Sequence, residues 1–346
     1  MLRTAFVGTG WWGAELAKAA ASLPEKIAIA GFFSLSADDC RKLASQHGGT
    51  VFPSLESLLV SDAVDAVALA TPHSQHASQV IVAALAGKHV FVEKPLALDV
   101  ASARQAAKAC ADVARVLAVG HNRRFSAGAR KVKEIVDSGR CGKILHVEAH
   151  YSGDLMMRLP AGHWRLRRAE MPAAGMAPMG LHMVDTVQWL LGPIARVSAI
   201  VKRQADWKNG ADVDDTCAAL FELQSGATGS LASHLATRTT VDLRLYGTQA
   251  RLEARGDLVT VTFFPATVTL FPVDGKAETW EFDADDSVAQ ELSAFADACA
   301  GRAPYPVTAE EAIRNVAVMQ AMQASSDAGG AWFRLDHYRV ATSGVE

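Results

Sequence analysis

Long hydrophobic runs, cysteine and charge of one sign are all scarce in this 346-residue chain. No apolar stretch approaches the roughly 18 uninterrupted residues that a membrane-crossing helix needs. The five cysteines (Cys40, Cys110, Cys141, Cys217 and Cys299) are odd in number and scattered. That pattern excludes a disulfide framework and shows no metal-ligand spacing, so no metal is expected and the thiols read as small buried fillers in a reducing compartment. Lysine plus arginine number 34 against 37 acidic residues, a formal charge of −3. Such a balance argues against nucleic acid or an anionic membrane surface as partner. No basic segment followed by an apolar one opens the sequence, and the expectation is a cytoplasmic protein.

What is present is ordinary for a soluble α/β protein: 50% hydrophobic and 21% charged residues. The length suggests about two domains, with enough chain to bury a sizeable core.

The N-terminal segment is the first informative one. Thr4-Ala5-Phe6-Val7 is a short apolar run suited to a buried parallel strand, Gly8-Thr9-Gly10-Trp11-Trp12-Gly13 follows at once, and Ala14 to Ala20 is rich in helix formers. Strand, glycine turn and helix are the context a dinucleotide fingerprint requires. In that reading Gly8 permits the tight turn, Gly10 lets backbone approach a pyrophosphate, and Gly13 lets the helix close on the sheet. The helix N-terminus presents N–H groups and a positive dipole end to the phosphates. A plain strand-to-helix turn is the competing reading.

Strands and helices then alternate. Strands are expected at Ile27 to Phe33, Val64 to Ala70, His89 to Val92 and Val116 to Gly120. Helices are expected at Asp38 to His47, Gln75 to Ala86 and Asp99 to Val113. This is the grammar of a doubly wound parallel sheet. After about residue 122 it changes. Helices at Ser126 to Ser138 and Met179 to Leu191 flank a strand at Ile144 to Tyr151. Strand-like runs follow at Val197 to Lys202, Thr216 to Leu223, Ala227 to His234, Thr240 to Tyr246, Ala250 to Ala254, Val259 to Phe264 and Val268 to Phe271. Helices near Val288 to Ala300 and Ala309 to Ser325 close the chain. The fold class expected is therefore α/β followed by α+β. A dinucleotide-binding Rossmann domain takes residues 1–122, and a second domain on an open antiparallel sheet takes residues 123–346.

Two residues stand out chemically. Lys94, in Val92-Glu93-Lys94-Pro95, lies at the carboxyl end of a predicted parallel strand, where open α/β sheets bind ligands. There an ammonium could donate to a reacting hydroxyl or relay its proton; the alternative is a solvated lysine paired with Glu93. His182 lies on the helix from Met179 to Leu191, off the apolar stripe of Met179, Met183, Val187 and Leu190. An imidazole is suited to taking a proton from an alcohol near neutral pH; the alternative is a satisfied structural histidine. Asp185 either orients it or ties the helix to a neighbouring loop. Fingerprint, lysine and histidine together suggest hydride transfer at an alcohol carbon.

Several segments together resemble the glucose–fructose oxidoreductase / inositol dehydrogenase / MocA (Gfo/Idh/MocA) family over essentially the whole chain. They are Gly8 to Gly13, Ala70-Thr71-Pro72-His73-Ser74-Gln75-His76, Gly87 to Pro95, Asn122-Arg123-Arg124-Phe125, Trp164-Arg165, and Gly180-x-His182-x-x-Asp185. The resemblance implies a Rossmann domain plus a domain with an open-faced sheet that commonly makes dimer or tetramer contacts. It implies nicotinamide-dependent oxidation of a secondary alcohol on a sugar, cyclitol or related cyclic diol, with Lys94 and His182 as catalytic pair and His182 as general base. By the same resemblance the cofactor is held by Gly8, Gly10, Trp11, Trp12 and Gly13, by Thr71, Pro72, His73 and His76, and by Glu93 and Lys94. Asn122, Arg123, Trp164, Arg165 and Asp185 are expected at the substrate.

Four residues before the histidine, many polyol-oxidising relatives carry an aspartate; here Pro178 stands there, expected in the first turn of the helix and unable to hydrogen-bond a substrate. Arg158, His163, Arg165, Arg167 and Arg168 crowd the preceding loop. They could hold a carboxylate or phosphate by bidentate contacts, which would make the substrate acidic, or simply form a solvated loop. The loop after the second strand decides the cofactor. NAD enzymes usually place a carboxylate there for the ribose 2′-hydroxyl, whereas this chain reads Phe33-Ser34-Leu35-Ser36. Ser34 and Ser36 tolerate a 2′-phosphate and Arg41 is within plausible reach, so NADP is favoured over NAD. A dinucleotide-binding sensor on the same fold and an NAD-recycling glycoside hydrolase are the competing functions.

Overall fold

The computed structural model describes residues 1–207, 209–256, 266–283 and 285–335. They divide into two compact units: Met1–Arg130 with Asp283–Ile313 make the first, and the rest the second.

The first unit alternates β1 (Leu2–Val7), α1 (Trp11–Ala21), β2 (Ile27–Phe33), α2 (Ala37–His47), β3 (Thr50–Val51), α3 (Leu55–Leu59), β4 (Ala66–Leu69), α4 (His76–Leu85), β5 (His89–Glu93), α5 (Val100–Asp112) and β6 (Leu117–Gly120). The six strands are all parallel, in the order β3-β2-β1-β4-β5-β6, the doubly wound order expected of a nucleotide-binding sheet. β4 is buried along its whole length, which is why it reads as an unbroken apolar run rather than an alternating one. Helix starts are set by capping. The Ser36 hydroxyl accepts from Asp39 N, and the Asp99 carboxylate from Ser102 N at 2.8 Å; such caps contribute about 1 kcal/mol each. The short β3 and α3 escape a sequence reading because two to five residues carry too little periodicity.

The chain continues through α6 (Ala127–Asp137), β7 (Ile144–Ser152), α7 (Gly180–Leu191), β8 (Ile194–Lys202), β9 (Thr216–Leu223), β10 (Thr228–His234), β11 (Thr240–Gly247), β12 (Ala250–Gly256), β13 (Ala266–Pro272), β14 (Glu278–Phe282), α8 (Ser287–Cys299), α9 (Ala309–Asp327) and β15 (Phe333–Arg334). The strand expected at Val259 to Phe264 lies outside the described residues. Among the described residues nine strands form the second sheet, β14-β13-β12-β11-β7-β10-β9-β8-β15. It was expected to be antiparallel, and one pair departs: β7 and β10 run parallel, Thr228 opposite His146 and Ala232 opposite His150. Parallel neighbours need a long crossover, and here α7, β8 and β9 supply it. Along β9 buried and outward residues alternate. Cys217, Ala219, Phe221 and Leu223 enter a core that also holds Leu181, Val184 and Val187 of α7, while Ala218 and Leu220 face away.

Residues 285–313 fall within the span given to the second domain, yet they group with the first unit. Burial accounts for this. Phe295 of α8 packs on Phe91 of β5 with ring centroids 5.8 Å apart, and Val288, Leu292 and Tyr305 join the same core. Lys26 Nζ also donates to Asp297 at 2.8 Å. A fully buried side chain of this size stabilises by about 1.5–3 kcal/mol.

Candidate active site

In the first sheet, strand order reverses between β1 and β4, and the crevice beyond the carboxyl ends there is where such sheets bind ligands. Gly8 follows β1 with φ of +88°, and a Cβ on it would stand 2.6 Å from Ala70 O of the β4 loop. A Cβ on Gly13 would stand 1.8 Å from Gly8 O. At Gly10, by contrast, a Cβ would meet no atom within 4 Å. Gly10 is the N-cap of α1 and has no side chain to bond the first-turn N–H groups. An open backbone at the start of a helix, with no acidic residue in the first turn, suits a pyrophosphate. Trp11 and Trp12 begin that helix, with ring centroids 5.6 Å apart.

Beside it, Ser34 is fixed by a 2.6 Å hydrogen bond with Thr9 Oγ1, and Ser36 N donates to its hydroxyl at 3.1 Å. Leu35 between them is 99% exposed. Arg41 donates to Asp38 Oδ1 at 2.5 Å, both side chains facing solvent; the arginine expected at a 2′-phosphate is thus held by an acid one turn away.

The β4 and β5 loops meet at His76. Its Nδ1 lies 2.7 Å from Pro95 O and its Nε2 3.0 Å from Thr71 O, and the ring is fully buried. His73 is buried alongside it, ring centroids 5.8 Å apart. Thr71 Oγ1 donates to Gln79 at 2.6 Å, and Pro72 is the residue from which the following turn starts. Glu93 ends β5 opposite Gly120 of β6, accepts from Lys94 N at 3.2 Å, and fills the space where a Cβ on Gly120 would stand. After β6, Asn122 donates to Ser287 Oγ at 3.2 Å, Arg123 sits in the same turn, and buried Arg124 donates to Glu311 at 2.8 Å. Burial raises the Glu311 pKa, but hydrogen bonds from Thr308 and the Arg124 charge outweigh it and hold the carboxyl below its ordinary range.

The first unit therefore gathers the fingerprint, Ser34, Ser36, Arg41, Thr71 to His76, Glu93, Lys94, Asn122 and Arg123. The second holds His182, Asp185, Trp164 and Arg165. His182 is the third residue of α7, its N bonded to Met179 O and its ring 6.0 Å from that of Tyr151. Asp185 is buried and accepts from Asn315 Nδ2 of α9 at 2.8 Å; Asn315 in turn accepts from Gln188 at 2.8 Å. The turn before α7 is held by Ser233, whose hydroxyl lies 2.6 Å from Tyr151 O and 2.9 Å from Gly175 O. Pro178 was expected in the first helical turn. It precedes it instead: Met179 is the N-cap and Gly180 the first helical residue, because Met179 N closes a turn onto Gly175 O.

The basic loop is partly neutralised from within. Arg158 donates to Asp154 and Arg168 to buried Asp214. Arg165 rests its guanidinium 4.1 Å over the Trp164 ring, and His163 stacks on the same ring at 5.8 Å. Burial, then the Arg165 charge, lowers the His163 pKa. Sequence reasoning missed Ser233, Gln188 and Asn315; each is a polar residue whose importance comes from a distant partner, and no local pattern marks it.

Residues 2–121 match the family model described as an oxidoreductase family with an NAD-binding Rossmann fold, and residues 129–253 match the GFO/IDH/MocA C-terminal domain. The chain belongs to the Gfo/Idh/MocA oxidoreductase family. Among its relatives, a D-xylose 1-dehydrogenase (NADP(+)) of Haloferax volcanii is 29% identical over 283 residues, 82% of this chain and 84% of that one. An uncharacterized oxidoreductase of Streptococcus pneumoniae is 32% identical over 192 residues, 56% of this chain, which spans about half (51%) of that protein. A levoglucosan dehydrogenase solved with NADH and levoglucosan superposes with a TM-score of 0.85 at 20% identity, covering 97% and 99% of the two chains, and so shares the fold. Among the described residues no helix is long and apolar enough to cross a membrane, and no cluster of three or more metal-ligating side chains occurs.

Proposed function

We propose that this oxidoreductase removes hydride from a secondary alcohol of a sugar, cyclitol or carboxylated cyclic diol and delivers it to NADP or NAD. The observation that carries the reading is the place of Lys94, directly after the strand end that abuts the fingerprint crevice of β1 and β4. Gly8 to Gly13, with Trp11 and Trp12, cradle the pyrophosphate. Ser34 and Ser36 receive the adenosine ribose, and Thr71 to His76 and Glu93 line the path to the nicotinamide. When bound, the nicotinamide accepts the hydride at C4. The side chains handle the proton: Lys94 donates a hydrogen bond to the reacting oxygen and His182 takes the hydroxyl proton as general base. Asn122, Arg123, Trp164, Arg165 and Asp185 orient the substrate.

NADP is the preferred cofactor in this reading, because residues 34–36 hold no carboxylate to repel a 2′-phosphate. Self-association through the outward face of the second sheet, where Ile200 and Leu220 are each 54% exposed, would give a dimer or tetramer. The deciding experiment is a panel of sugars, cyclitols, uronates and carboxylated diols incubated with each cofactor and followed by nicotinamide absorbance. Cofactor bound but never reduced across the panel would favour a sensor instead.

A further inference from the structure

His76 has an unusual set of neighbours. Pro95 O at 2.7 Å and Thr71 O at 3.0 Å are backbone carbonyls, and carbonyls only accept. A neutral imidazole carries one N–H and one lone pair, so one of these contacts would set lone pair against lone pair. The ring is fully buried, so water cannot intervene. Thr71 follows β4 and Pro95 follows Lys94, so the imidazole spans the two strand-end loops that frame the crevice.

We propose that His76 is a buried two-donor imidazolium that braces the β4 loop to the β5 loop and thereby positions Lys94. The importance given to Lys94 rests on the dehydrogenase reading above. His76 opens α4, whose positive dipole end opposes a cation, and burial opposes it too. Both are countered by two charge-assisted hydrogen bonds, which are stronger than neutral ones. The titratable and charged groups of the surrounding segments are few. His73 stands ring to ring with it. Glu93 and Lys94 precede Pro95 on β5 and its loop. On α5, Asp99 is taken up by Ser102 N and Oγ, Lys108 is paired with Asp112, and Arg104 lies between them. His89, at the start of β5, provides a contrast: its Nδ1 accepts from Val116 N at 3.0 Å, which requires a lone pair there and a neutral ring.

The test uses the full-length protein labelled with ¹⁵N-histidine. One histidine ring is expected to carry two slowly exchanging N–H protons, with through-space contacts to Thr71 and Pro95, between about pH 6 and 8. An unprotonated nitrogen on that ring at neutral pH overturns the two-donor state. Positioning is read from Lys94 itself after reductive ¹³C-methylation, its resonance identified by its loss in Lys94→Arg. In His76→Gln that resonance should shift while the circular dichroism holds, and turnover should fall by about 10²-fold, as for a small misplacement of a reacting group. An unmoved Lys94 resonance in folded His76→Gln overturns the brace. Should that variant not fold, the same comparison is made in His76→Asn, and the ring measurement on the unsubstituted protein stands regardless. No reduction of either cofactor by the unsubstituted protein across the alcohol panel would sink the dehydrogenase reading while leaving both resonance results intact, so the two failures are distinguishable.

Discussion

Gly13 and Gly8 are in such close contact that a single methyl on Gly13 would stand 1.8 Å from the Gly8 carbonyl oxygen. The turn after β1 and the first turn of α1 are therefore one packed unit, and the crevice of the first sheet takes its shape from it. Gly13→Ala must push the helix off the loop. Overpacking of this kind costs about 1–3 kcal/mol, and the expected result is a lower melting temperature with cofactor affinity reduced about tenfold or more. Titrating NADPH by its fluorescence checks it; unchanged affinity would show that the turn is not the pyrophosphate cradle.

Lys94→Ala and His182→Ala should each lower turnover by about 10²–10⁴-fold, the usual contribution of a positioned acid or base, far more than they lower cofactor affinity. Steady-state rates with the best alcohol of the panel, alongside cofactor titration, measure both. Turnover like that of the unsubstituted protein in either variant removes that residue from the chemistry.

Cofactor choice turns on the loop after β2. Ser34→Asp would place a carboxylate where there is none, and like-charge juxtaposition costs several kcal/mol, so NADP affinity should collapse while NAD affinity holds. Arg41→Ala should weaken NADP more than NAD, and only modestly, since Asp38 already competes for the guanidinium. A native preference for NAD of about tenfold, worth about 1.4 kcal/mol, would contradict the reading of this loop.

His89 works to lower stability on mild acidification, opposite in sign to a charged His76. Burial, reinforced by the Arg115 charge and opposed by Asp65, lowers its pKa below the ordinary value. An unfolded chain takes up the proton near pH 6.5, about the unperturbed value, while the folded chain resists it. The contribution is thus complete above that pH and is lost as pH falls through it. Burial lowers the pKa of His150 and His163 too, so they act in the same sense. Over about pH 7.5 to 5.5, the melting temperature should have a more acid-sensitive slope in the unsubstituted protein than in His89→Gln. An identical slope in the variant would exclude His89 as a contributor.

Leu220→Asp would put a charge in the middle of the outward sheet face, which Ile200 and Ala218 share. If copies associate there, light scattering should show a smaller assembly with secondary structure intact. An unaltered mass in solution would move the interface elsewhere.

Elements with a strong local signal were legible from residues alone. The parallel alternation of the first sheet, β9 at Thr216–Leu223 and the glycine turn all follow from side-chain period and backbone sterics. β14 at Glu278–Phe282 was missed because its pattern is short and polar, and among the described residues it pairs with β13 alone. Pro178 lies two residues before the first helical residue, not within the first turn, since helix ends depend on which backbone groups happen to be satisfied nearby.

By itself the sequence determined the fold class, the family and the glycine turn after β1, because each is written in neighbouring residues whose chemistry acts locally. Only the tertiary structure decided that β7 runs parallel to β10 and that α8 packs into the core of the first unit. It alone decided that Asp185 accepts from Asn315, 130 positions away, and that both nitrogens of His76 face carbonyls. The physical reason is common to all of these. Burial removes water as the alternative partner, so each buried strand edge, apolar face and polar atom must find its complement within the protein. Which complement it meets is settled by how distant segments pack, and no short pattern in the chain records that.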